Sequence, residues 1–361
     1  MTKRLLSLIG LLSLILSACS AGAPEASSSP AALMITDARG REVTFDEPPQ
    51  RIAIAGRANF MLNDTAYLFP EEARERVVAL NKAGQRDLFV ELLDPQAEEK
   101  LRFEVDASAE EIIAARPDVV LLKSFMAESL GQALETLEMP VLYLEFETPE
   151  QYDRDLAILG QLFDDPARAE EIWAFYETRV AQVAAAVADL DEAAKPRVLV
   201  LQYSDRGGET AFKAPPAVWI QTQLVEMVGG VPVWKEAAQG GGWAVVNLEQ
   251  IAAWDADQIY VIDYFGDVDE IAEQLRADPQ WRQLRAVQAG RLYAFPKDFY
   301  SWDQPDTRWI LGLMWLVERV HPGRLEVDIQ AEIYAFYEHL YGLDTETVAA
   351  EVMPRLQGDL D

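Results

Sequence analysis

Cations and aromatic side chains recur just after the apolar runs of this sequence, and that placement is its strongest chemical signal. Arg57, Asn59 and Phe60 follow the run that ends at Ala55, and Lys123, Ser124 and Phe125 follow the run that begins at Val119. Tyr203, Asp205, Arg206 and Lys213 come after Val198–Gln202, Trp243 comes after three glycines, and Asp263, Tyr264 and Phe265 come after a further run. The last stretch, Phe295 to Trp309, carries Lys297, Tyr300, Trp302 and Arg308. Ligands of α/β sheets sit beyond the carboxyl ends of the strands. Aromatic walls with a few cations suit a large, flat, partly anionic ligand. The competing reading for each residue is plain burial in a core.

Catalytic chemistry is poorly supplied. There is no Gly-x-x-x-x-Gly-Lys-Ser/Thr phosphate loop and no Gly-x-Gly-x-x-Gly; Gly240-Gly241-Gly242 runs into Trp243 and reads as a loop. The only histidines are His321, before a proline near a helix end, and His339, among Tyr334, Tyr337 and Tyr341. Neither sits where a Ser-His-Asp triad would need it. A bare transition-metal site wants several His or Cys ligands, so no metal site and no resident cofactor are expected; a metal would arrive already wrapped in a chelator. Paired carboxylates for glycoside hydrolysis stay open, because acids are everywhere and nothing singles out a pair.

The N-terminus sets the compartment. Lys3 and Arg4 precede an apolar run from Leu5 to Leu16, and then comes Leu16-Ser17-Ala18-Cys19. The run is too short for a permanent span and has the order of a secretory signal. Small residues before a cysteine resemble a bacterial lipobox, which predicts a signal peptide over 1–18 and lipidation of Cys19. Cys19 is the only cysteine, so no internal disulfide can form. Residues 19–33, rich in Ala, Ser and Pro, read as a tether. The expectation is an extracytoplasmic protein held to the membrane through its lipid alone. With a formal charge of −30 and a pI near 4.4, the chain lacks the basic footprint of a nucleic-acid binder. A monomer is expected.

The elements that must position the strand-end residues alternate. Ile35 to Phe45 reads as a small hairpin. Arg51–Ala55, Val77–Leu80, Val119–Lys123, Val141–Leu144, Val198–Gln202, Ile259–Asp263 and Leu292–Phe295 read as strands, with helical segments between most of them. That order argues for parallel sheets of the α/β class. Asp165 to about Leu190 breaks the alternation as one helix, with Pro166 in its first turn. The predicted architecture is two α/β lobes, 34–164 and 192–361, joined by a long helix over 165–191, with a ligand cleft between them. The lobes also echo each other. Glu110…Ile112…Ala115…Asp118-Val119 and Glu249…Ile251…Trp254…Asp257-Gln258 each run a short, acid-started helix into a strand. Acids in a first turn complement the helix dipole, which alone would account for Glu110 and Glu249.

These residues together resemble the class III solute-binding proteins of ABC importers, the group that takes ferric siderophores, heme and cobalamin. The resemblance rests on the lipobox, Ile35-Thr36-Asp37…Pro49-Gln50-Arg51-Ile52, Glu110…Arg116-Pro117-Asp118-Val119-Val120, Leu224…Val228-Gly229-Gly230 and Ser301-Trp302-Asp303-Gln304-Pro305…Arg308-Trp309. It implies capture of a metal chelate, a ferric siderophore first, and delivery to a permease dimer with its ATPase. It also implies that Glu110 and Glu249 dock into arginine pockets on that permease. Cobalamin, heme or another complex is the alternative, heme being less favoured because imidazole is scarce, although Tyr can ligate it. A glycan hydrolase on the surface and a purely structural lipoprotein are the alternatives of other classes. Two departures stand out: Ala256 where the first lobe has Pro117, and a long, charged segment from Ala83 to Phe103 that reads as an insertion at the cleft rim.

Overall fold

The computed structural model describes residues 32–82, 88–205 and 210–360, with only the backbone of Asn59. The expected signal peptide, Cys19, most of the tether and Arg206 lie outside the described residues.

The chain opens with an antiparallel hairpin, β1 (Leu33–Thr36) and β2 (Glu42–Phe45). Its turn is held by Asp37, whose carboxylate accepts from the Arg39 and Arg41 backbone N–H groups at 2.9 and 3.1 Å. The first lobe is built on β3 (Ile52–Ile54), β4 (Val77–Asn81), β5 (Leu101–Phe103), β6 (Val119–Lys123) and β7 (Val141–Leu144). They form one parallel sheet in the order β5-β4-β3-β6-β7. The second sheet contains β8 (Arg197–Ser204), β9 (Ala211–Ala214), β10 (Val231–Pro232), β11 (Ala244–Val246), β12 (Gln258–Ile262) and β13 (Leu292–Ala294). Here β10, β12 and β13 run parallel with β8, as expected. The other edge differs: β9 pairs antiparallel with β8, and β11 with β9. These edge strands are short and half-exposed, so they lack the apolar runs that announce buried strands.

A single helix, Pro166–Val187, connects the lobes, ending a little before the predicted limit. Its 22 residues span about 33 Å at 1.5 Å per residue. Asp165 caps it, accepting from the Arg168 N–H at 2.9 Å, and Pro166 takes the first turn, where no N–H is needed. The preceding helix, Pro149–Phe163, packs along it and is capped by Thr148. One apolar core runs through both sheets, the connecting helix and the helix Trp309–Val320. Because that core is continuous, the lobes cannot part without exposing it, so large hinge motion is opposed by apolar burial.

The described part of the segment from Ala83 to Phe103 corrects the expectation of a rim insertion. It forms the helix Leu88–Leu93 and edge strand β5. Phe89 is fully buried against Tyr341 and Phe299, with ring centroids at 4.9 and 5.0 Å. Its charges are used internally: Lys100 meets Asp94 at 2.8 Å, and Asp94 accepts from the Tyr67 hydroxyl at 2.6 Å.

Candidate functional site

A cavity of about 580 Å³ opens between the lobes at the carboxyl ends of their strands. From the first lobe come Phe60 and Met61 after β3, Lys123 to Phe125 at the end of β6, and Glu145, Glu147 and Gln151 after β7. From the second come Trp219, Gln221, Trp243, Tyr264 after β12, Gln304 and Pro305. Each parallel strand delivers its last side chain to the same end of its sheet, so the two lobes face each other with their loop residues.

The walls are aromatic. Trp243 meets Trp219 edge-on at 5.6 Å and Tyr264 at 6.1 Å. Phe60 stacks on Tyr300 at 4.8 Å, and Phe125, also of the first lobe, stands 60% exposed. The helix Asn59–Ala66 begins at the cavity with no side-chain cap; Ala58 before it adopts a left-handed φ of 57°.

The charges lining the cavity are already matched. Lys123 is buried, its ammonium bonded to the Glu145 carbonyl and to the Glu147 carboxylate at 2.8 Å. Glu145 accepts from Arg154 at 2.8 Å. Lys123 is the only cation among the described lining residues. The floor is polar and buried: Asp303 accepts from Ser301 Oγ at 2.5 Å, from the Tyr264 hydroxyl at 2.7 Å and from Gln221 Nε2 at 3.0 Å. Burial pushes the Asp303 carboxyl up, against the pull of these three donors. Burial, reinforced by Asp303, drives the Tyr264 hydroxyl far up as well, so it stays a neutral donor.

The model of the family described as periplasmic binding protein matches residues 72–299. This chain belongs to the periplasmic binding protein family. The family makes it an extracytoplasmic binding protein, and the class III resemblance stands. Solved structures share the two-lobe fold. A periplasmic solute binding protein from Veillonella parvula aligns with a TM-score of 0.70 at 22% identity, over 89% of this chain and 97% of that one. The molybdate periplasmic binding protein MolA of Haemophilus influenzae, bound to molybdate, aligns at 0.69 and 18%, over 86% and 98%. Helicobacter pylori CeuE in its Ni-His complex aligns at 0.69 and 17%, over 89% and 99%.

The binding protein brings together Phe60, Lys123, Phe125, Trp243 and Tyr264 of the predicted cleft residues. Arg57 is exposed one residue away from the lining, and Asn59 begins the helix beside it. The others lie elsewhere. Lys297 is buried, donating to the Asp263 and Gly266 carbonyls at 3.0 Å each, and burial lowers its pKa. Trp302 is fully buried and donates to Asp298 at 3.0 Å. Arg308 is fully buried among Asp64, Asp298 and Tyr337. Tyr300 backs Phe60 from within the core, Tyr203 packs on Phe212 at 5.8 Å, and Lys213 lies along strand β9. Trp219, Gln221, Glu145, Glu147 and Gln151 are lining residues that the sequence reading missed. For Glu145, Glu147 and Gln151 the only signal was position: they directly follow β7, a strand whose exit carried no cation.

The echoed helices, Ala109–Ala114 and Leu248–Trp254, repeat down to single hydrogen bonds. Asp118 accepts from the Arg51 N–H at 2.9 Å, and Asp257 from the Arg197 N–H at 2.8 Å. Arg51 donates to the Ala115 carbonyl at 2.8 Å, Arg197 to the Trp254 carbonyl at 2.7 Å. Each helix therefore ends at the start of its sheet and begins toward the strand ends. Glu110 and Glu249 both occupy the second helical position and both are exposed. Among the described residues no helix is long and apolar enough to cross a membrane, and no group of three or more His, Cys, Asp or Glu could hold a metal ion.

Proposed function

We propose that this protein captures a metal chelate in the interlobe cavity and delivers it to an ABC importer permease, and that the chelate carries no net negative charge. The observation behind this reading is the Lys123–Glu147 pair. With Glu145 matched by Arg154, the aromatic cavity has no free cation among the described lining residues. A polyanionic ligand would have to break a buried pair to gain a counter-charge, and an unpaired buried charge costs several kcal/mol. A ferric siderophore of the neutral hydroxamate type fits better than a ferric tris-catecholate. Cobalamin is the second reading, supported by the same neutrality and by the flat aromatic walls.

Glu110 and Glu249 are the proposed docking residues: two exposed carboxylates on matching helices, one per lobe, fix register on a two-fold partner. Cys19 is the proposed lipid anchor.

The test is a titration of residues 20–361 with ferric hydroxamate, ferric catecholate, heme and cobalamin, following tryptophan fluorescence. Saturable quenching by a neutral chelate, with Kd of about a micromolar or tighter and the chelate recovered unchanged, is the expected result. Selective binding of the catecholate would overturn the charge assignment. Chemical conversion of a ligand would overturn the transport role.

A further inference from the structure

Two side chains on the cavity floor keep a polar atom with no partner among the described residues. Gln221 is 3% exposed, yet its Oε1 accepts from nothing; Gln304 is 3% exposed, yet its Nε2 donates to nothing. Both line the cavity. Buried polar atoms in folded proteins are nearly always satisfied, so an unpaired acceptor and an unpaired donor lining one cavity point to a partner that comes from outside.

The polarity of Gln221 is set, not free. A carboxylate only accepts, and Asp303 takes its three donors from Ser301, Tyr264 and Gln221. Gln221 must therefore turn its NH₂ to Asp303, which leaves the carbonyl oxygen as the spare group. The floor then offers one acceptor and one donor in a cavity that Trp219, Trp243 and Tyr264 also line. A carboxylate ligand group would meet the Gln221 carbonyl with its own lone pairs. A ketone would leave that carbonyl unpaired. A carboxamide carries both the donor and the acceptor that these two atoms lack.

We infer that Gln221 and Gln304 recognise a neutral amide-type edge on the periphery of the ligand, and that Asp303 is the positioning residue that fixes the polarity of Gln221. This rests on the interlobe cavity being the ligand site, but not on the ligand being a chelate.

Benzamide, acetophenone and benzoate test it without any metal complex. They share a ring for the aromatic wall and differ in the polar edge. Residues 20–361 would be titrated with each, and the indole N–H resonances of Trp219 and Trp243 followed by NMR. Benzamide is expected to bind about ten-fold more tightly than either analogue, the usual worth of one well-made hydrogen bond. Gln221→Leu and Gln304→Leu should each bring the preference over acetophenone below about two-fold. In Asp303→Asn the new amide can donate, so Gln221 is no longer locked; benzamide should lose affinity while benzoate gains. A merely structural role for Asp303 would weaken all three probes alike. Equal affinities, no binding of any probe, or a preference that survives Gln221→Leu would overturn the inference. Those outcomes leave the chelate titration to be judged separately, and failure of every chelate with a preserved benzamide preference would sink the chelate reading alone.

Discussion

Arg308 donates to the Asp64 carboxylate at 2.5 Å, 244 positions away in the chain, and both side chains are completely buried. Asp64 lies on the helix that begins at the cavity, four residues after Phe60; Arg308 precedes the helix Trp309–Val320 of the other half. The same guanidinium donates to Asp298 at 2.6 Å and lies over the Phe89 ring at 4.3 Å. Asp298 also accepts from the Tyr337 hydroxyl at 2.6 Å. This cluster ties the lobes together behind the ligand site. Removing the cation strands three buried carboxylates, Asp64, Asp298 and Asp306. Arg308→Ala should cost about 3–5 kcal/mol of stability by urea unfolding. Arg308→Lys should recover little, since one ammonium cannot span Asp64 and Asp298 as the planar fork does.

Glu147 holds Lys123 out of ligand chemistry. Glu147→Gln should release that charge and raise affinity for an anionic ferric tris-catecholate about ten-fold, or ~1.4 kcal/mol. Affinity for a neutral ferric hydroxamate should change less than about three-fold. Parallel fluorescence titrations of the unchanged protein and the variant decide it; an unchanged charge preference would mean that the pair does not set selectivity.

Glu110 and Glu249 stand exposed on the two matching helices. Charge reversal at either, Glu110→Arg or Glu249→Arg, should stop uptake in cells while leaving ligand Kd intact. Stability should move by no more than about 0.5 kcal/mol, as for other surface positions. Loss of affinity instead would place these residues at the ligand and remove them from docking.

Asp94 gives a pH signature. Burial pulls its carboxyl up, but the hydrogen bonds from Lys100 and Tyr67 outweigh that and hold it below its ordinary 3.8. A depressed carboxylate stabilises the fold fully above its unfolded value and loses that contribution as pH falls through the folded one. Unfolding free energy should therefore drop as pH falls below about 4. In Asp94→Asn this part of the drop should vanish, and at pH 7 the variant should be less stable by about 2–4 kcal/mol, because Lys100 stays buried without its partner.

The sequence by itself determined the lobes and the connector. Apolar runs such as Val119–Lys123 and Val141–Leu144, set between helical segments, read as buried strands, and Asp165-Pro166 starts a helix whose cap lies within its own first turn. The echo around Glu110 and Glu249 was legible for the same reason: cap, turn and strand lie within a dozen residues. It also showed which strand exits would carry aromatic and charged side chains, and five of those residues do line the cavity. Which cations stay available was decided only by the tertiary structure. Lys297 and Arg308 look like cleft residues in sequence, yet the Asp263 carbonyl and the Asp64 carboxylate hold them in the core. Lys123 reaches the cavity but brings Glu147 with it. A charge takes its meaning from its nearest partner, and when that partner is dozens or hundreds of residues away, only the folded chain brings the two together.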